Sequence, residues 1–145
     1  MRPAECLLGL DLPGGWHVDS FVHRPSTSTG GKFSVGYVVE NTDGRKAYLK
    51  ALDFSSAFEQ PDFTRGLENL LKAYNFECDL LEQCKDKKLR RVVTPLAKGT
   101  VRVPGDFGPV GNVAYLILPL ATGDIRNEVE KWRKFDLAWA LRSLH

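Results

Sequence analysis

Apolar and polar positions along this chain change their period several times, and each change predicts an element. Trp16, Val18, Phe21 and Val22 are spaced as in a half-buried strand, and Phe33 to Glu40 (FSVGYVVE) mixes aromatic and β-branched residues in the same sense. Between them, HRPSTSTGGK at residues 23 to 32 concentrates hydroxyl and glycine residues and predicts a loop. Asn41-Thr42-Asp43-Gly44 supplies residues that tolerate positive φ, so a tight turn should lead into a third strand over Ala47 to Leu52. The spacing then becomes helical. Leu67, Leu70, Tyr74, Leu81 and Cys84 fall in one arc at about 100° per residue, which predicts a helix from roughly Phe63 to Lys85 opened by Pro61-Asp62. Glu77 lies inside that arc.

Beyond the charged break KDKKLRR at 85 to 91, Val92 to Val103 and Val113 to Leu120 predict two more strands, joined by the Gly/Pro-rich PGDFGPVGN. From Asp124 the pattern is helical again, with Ile125, Val129 and Trp132 on one side. A second start near Phe135 runs through Leu137, Ala138, Leu141 and Leu144 to the last residue. The expected fold class is therefore α+β: a five-stranded antiparallel sheet with one long packed helix, followed by C-terminal helices. Residues 1–15 read as an N-terminal extension, 16–121 as the main domain, and 122–145 as the exit into further helices.

Bulk composition narrows the function classes. At 43% hydrophobic and 26% charged, 145 residues suffice for one domain with a real core. Twenty Lys plus Arg against eighteen Asp plus Glu give a net charge of +2, too little to imply a nucleic-acid or membrane partner. The basic cluster Lys85, Lys87, Lys88, Arg90 and Arg91 is interrupted by Asp86 and has no aromatic stacking platform, so it reads as a solvated face. Cys6, Cys78 and Cys84 make an odd count without CxxC spacing, and His17, His23 and His145 have no ligand-spaced neighbours. Neither a disulfide framework nor a metal site is expected, and a reducing cytoplasm fits best. The apolar stretch near the N-terminus is too short and too acidic for a leader or a membrane span.

The chemistry centres on Lys50 and Glu77. A carboxylate on a helical face with Leu70, Tyr74 and Leu81 is costly to desolvate unless a cation meets it. Lys50 ends the alternation Ala47-Tyr48-Leu49-Lys50 on the strand against which that helix would pack. The competing reading leaves Glu77 at the edge of the arc, reaching solvent, with Lys50 a surface residue.

Three strands, a long helix and two strands, with a lysine on the third strand and a glutamate on the helix, resemble the small lobe of protein kinases. The resemblance implies that Lys50 holds the phosphates of ATP and is itself held by Glu77. It places Gly30, Gly31, Lys32 and Phe33 in the loop that covers the phosphates. Only some of that loop's glycine positions match, because Thr29 and Ser34 stand where two glycines are usual. The same resemblance puts Leu118 at the gatekeeper, Leu120 and Ala121 in the adenine-facing hinge, and Asp124 near the ribose. Asp124 has an alternative role as a helix N-cap. Tyr48 stands where the family commonly has alanine over the adenine, and Gly36 where it commonly has valine.

Asp106-Phe107-Gly108 spells the kinase magnesium motif but precedes the hinge, so its glycine- and proline-rich surroundings make it a turn. No His-Arg-Asp catalytic loop follows the hinge. The resemblance thus implies a truncated lobe that binds ATP, with magnesium and phosphoryl transfer to protein serine or threonine requiring the missing large lobe. The fragment alone is expected to be inactive. A different class stays open: a non-enzymatic, pseudokinase-like binding or scaffold module that keeps the shape without the nucleotide and serves a protein partner.

Overall fold

The computed structural model describes residues 2–23, 33–89 and 92–121. Six strands form one antiparallel sheet: β1 (Asp11–Leu12), β2 (Trp16–Phe21), β3 (Ser34–Asn41), β4 (Lys46–Leu52), β5 (Ala97–Arg102) and β6 (Asn112–Pro119). Their spatial order is β1-β2-β3-β4-β6-β5, curled toward a barrel. A single α-helix among the described residues, α1 (Phe63–Asp86), runs between β4 and β5.

This corrects the expected five-stranded sheet followed by C-terminal helices. The sixth strand is β1, two residues joined to β2 through Pro13-Gly14-Gly15, where both glycines take positive φ (85° and 75°). Two residues carry no periodic signal, which is why the pattern did not announce it. The expected helices beyond Asp124 lie outside the described residues. The strand expected from Val92 starts only at Ala97, although Leu96 already donates its amide to the Ile117 carbonyl at 2.7 Å.

Local chemistry explains the elements that matched. Asn41 Oδ1 accepts from the amides of Asp43 (3.0 Å) and Arg45 (2.8 Å), closing the β3–β4 turn with Gly44 at φ 76°. Asp62 caps α1 by accepting from the Arg65 amide at 3.0 Å. Asp106-Phe107-Gly108 lies in the β5–β6 connection, where Phe107 packs against the core and Gly108 opens a short 3-10 turn.

The sheet has two unlike faces. Val18, Tyr37, Val39, Ala47, Leu49, Ala51, Val113, Tyr115 and Ile117 point to one and form the core. Residues from the N-terminus seal that face: Ala4 and Leu7 are fully buried, and Tyr37 donates its hydroxyl to the Ala4 carbonyl at 2.7 Å. The other face carries Gly36, Val38, Tyr48, Lys50, Leu116 and Leu118, and it is the face that α1 overlies.

Candidate functional site around Lys50 and Glu77

Strand alternation decides where Lys50 points. Ala47, Leu49 and Ala51 are fully buried in the core, so Tyr48 and Lys50 emerge on the opposite face. Lys50 pairs in register with Gly36 on β3 and with Leu116 on β6. The helical period brings Glu77 over it, and Lys50 Nζ lies 2.6 Å from both Glu77 carboxylate oxygens. Both side chains are partly buried, at 24% and 32% exposure, so the contact is less screened than a surface pair. An ammonium has three protons, and the fork to Glu77 leaves one donor unused by that pair.

A second lysine-glutamate pair holds the helix one turn further on. Lys98 lies in the same sheet row as Lys50, on the far side of Leu116, and its ammonium bonds Glu82. That bond draws the Glu82 carboxyl below its usual range and raises the Lys98 ammonium above its own. Cys78 and Cys84 are the buried residues of α1, and Tyr74 meets Phe54 edge to face at 6.5 Å between centroids. The helix therefore rests on the sheet through long side chains more than through a broad apolar seam.

Below the helix, Asp53 follows β4 directly and is only 2% exposed. Its carboxylate accepts from Arg2 Nη1 at 2.9 Å and from the Ser55 amide at 3.1 Å, while its own amide donates to the Phe33 carbonyl at 2.8 Å. The residue ties together Arg2 near the N-terminus, Phe33 just before β3, and the 3-10 turn Phe54–Glu59 that leads to α1. Nothing in the residue pattern marked its burial, because its charged partner Arg2 is fifty-one residues away.

The sequence-derived site residues separate into three groups. Lys50 and Glu77 come together. Phe33 is half exposed at the wall of a groove of about 280 Å³ lined also by Ala57, Gln60, Gly66, Leu70 and Ala73. Leu118 is partly buried directly opposite Tyr48, and Leu120 and Ala121 are exposed just past β6. Gly30, Gly31, Lys32 and Asp124 lie outside the described residues. A larger depression of about 470 Å³, lined by Asp11, Trp16, His17, Asp19, Glu40 and Thr42, sits at the β1–β2–β3 end, away from Lys50. We place the site at Lys50 because its pair with Glu77 is partly buried, whereas the pairs at the larger depression, His17 with Asp11 and Lys46 with Asp19 and Glu40, are more exposed.

Among the described residues no three His, Cys, Asp or Glu side chains are grouped to hold a metal ion, and no helix is long and apolar enough to cross a membrane. No protein-family model matches the chain, and no curated protein matches its sequence.

Proposed function

We propose that this chain is the nucleotide-holding lobe of a protein-kinase-like domain, with ATP as its ligand and Lys50 as the group that meets the phosphates. The observation that carries this reading is the two-oxygen contact of Lys50 with Glu77. It holds a partly buried cation between sheet and helix, oriented by a carboxylate from a separate element. Such a pair positions phosphate charge and neutralises it; it supplies no base. Phosphoryl transfer to protein serine or threonine, with its magnesium, belongs in this reading to a large lobe that completes the domain. Three free cysteines accord with a cytoplasmic setting.

Calorimetric titration of ATP, with and without magnesium, against wild type and Lys50→Met tests the proposal. Saturable binding that Lys50→Met abolishes is expected. If neither chain binds, or both bind alike, the nucleotide reading fails.

One observation favours the second reading, a binding or scaffold module without nucleotide. Phe76 and Leu80, one turn apart on the outer side of α1, are 69% and 47% exposed, an apolar ridge suited to a protein partner. A folded wild type that takes no ATP in the same titration would leave that reading standing.

A further inference from the structure

The two lysine-glutamate ties that hold α1 are placed symmetrically about its sheet-facing side. Glu77 and Glu82 are five residues apart, which separates them by about 140° around the helix and about 7.5 Å along it. Leu70, Tyr74, Cys78 and Leu81, all partly or fully buried, fall within the arc between them. The two carboxylates therefore occupy opposite shoulders of the side that rests on the sheet. Their lysines are spaced to match. Lys50 on β4 and Lys98 on β5 both pair in register with Leu116 on β6, so they stand on one face of the sheet, two strands and about 10 Å apart.

A tie on one shoulder leaves a helix free to roll about its axis, whereas ties on both shoulders oppose rolling in either direction. Packing beneath α1 does little to replace them, because only Cys78 and Cys84 are buried on it in full. Each tie also lowers the ordering cost of the other: once one glutamate is held, the second forms its bond with the roll of the helix already set. The outer tie, Lys98 to Glu82, is half exposed on both sides. It can therefore be broken by substitution without stranding a buried charge, and its effect on the inner tie read by itself.

We infer that Lys98 and Glu82 are positioning residues for Lys50: by fixing the roll of α1 they hold the Glu77 carboxylate where both of its oxygens reach the Lys50 ammonium. The inference goes beyond the nucleotide reading and does not depend on it, since every group it concerns belongs to this chain.

The Lys50 side chain itself reports the outcome, through the NMR signals of the methylene beside its ammonium in protein carrying isotope-labelled lysine, assigned by their absence from Lys50→Met. A held ammonium gives its two methylene protons distinct shifts, and Glu77→Gln should collapse them toward the common value of a freely rotating lysine. Glu82→Gln and Lys98→Met break the same outer tie from its two ends, so each should produce the same partial collapse. Lys98→Arg keeps a cation that reaches Glu82 and should retain the wild-type signals. On the nucleotide reading, Glu82→Gln and Lys98→Met should also weaken ATP binding by roughly two- to five-fold, the scale of one exposed ion pair. Wild-type signals in both of these variants, while Glu77→Gln collapses them, overturn the inference. So does an equal effect of Lys98→Arg and Lys98→Met, which would make the position and not the tie responsible. A wild type that takes no ATP fails the nucleotide reading alone, and the Lys50 signals still decide this one.

Discussion

Tyr37 links the stability of the fold to alkaline pH through a single buried hydroxyl. It is fully buried on β3, donates to the Ala4 carbonyl at 2.7 Å, and receives the Leu7 amide at 3.5 Å. Burial pushes its phenol up from the ordinary 10 to about 12; the Leu7 amide opposes this, while Cys6 and Glu5 add to it. The neutral phenol is thus favoured in the folded chain. Stability from this group is complete below pH 10, where both states keep the proton, and is lost as pH rises through the folded value near 12. Two pH units at about 1.4 kcal/mol each make the full loss about 3 kcal/mol, a large share of the stability of a small domain.

The variant Tyr37→Phe isolates the effect. At neutral pH it should be less stable by about 1 to 2 kcal/mol, because the buried Ala4 carbonyl and Leu7 amide lose a partner. It has no phenol to ionise at this position, so its stability should fall less steeply in alkali. About half the wild-type loss is reached one unit above the unfolded value, so the two curves should cross near pH 11. Urea unfolding at a series of pH values, read by circular dichroism, measures the crossing. Tyr74 and Tyr115, whose phenols burial also raises, titrate in both proteins and cancel from the difference. A stability difference that stays constant across the alkaline range would refute the reasoning.

Two further substitutions test the packing around the site. Arg2→Ala removes the guanidinium from the buried Asp53 carboxylate; since Arg2 is half exposed and the Ser55 bonds stay, the cost should be about 1 to 2 kcal/mol. Adding Asp53→Asn should recover part of it, whereas an unchanged urea midpoint for Arg2→Ala would show that the contact contributes nothing. Gly99→Val places a side chain against Tyr115, whose hydroxyl oxygen lies 2.6 Å from the position of the new Cβ and which is only 1% exposed. The ring has nowhere to move within the core, so about 1 to 3 kcal/mol of overpacking is expected by thermal or urea unfolding, and wild-type stability would contradict it.

What the residue pattern revealed follows from the range over which each signal acts. The Asn41–Gly44 turn is local hydrogen-bond chemistry, and the helix and the five longer strands are local periodicity, so all were readable. The contact of Lys50 with Glu77 was readable for a similar reason: two periods, one of the strand and one of the helix, each place one charge on an apolar-facing position. The strand β1 was too short to have a period. Asp53 gave no sign because Arg2 is fifty-one residues away, and the N-terminal cover of the core was hidden by its mixed polarity. Gly36 and Tyr48 each looked like a departure from the expected pattern; only the register of β3 against β4 shows that one compensates for the other.

The two faces of the sheet are covered in different ways. On the inner face Ala4, Leu7, Tyr37, Leu49, Tyr115 and Ile117 are essentially inaccessible, and burial of that kind is not weakened by the screening that acts on ion pairs. On the outer face α1 is tied by Lys50 to Glu77 and by Lys98 to Glu82, and it buries only Cys78 and Cys84 in full. The same ammonium that would meet a phosphate is therefore also one of the points holding the helix. In the nucleotide reading proposed above, a polyanion arriving at Lys50 would share that cation with Glu77, and ligand binding would then be coupled to helix placement through one side chain, with the inner core as a fixed support beneath them.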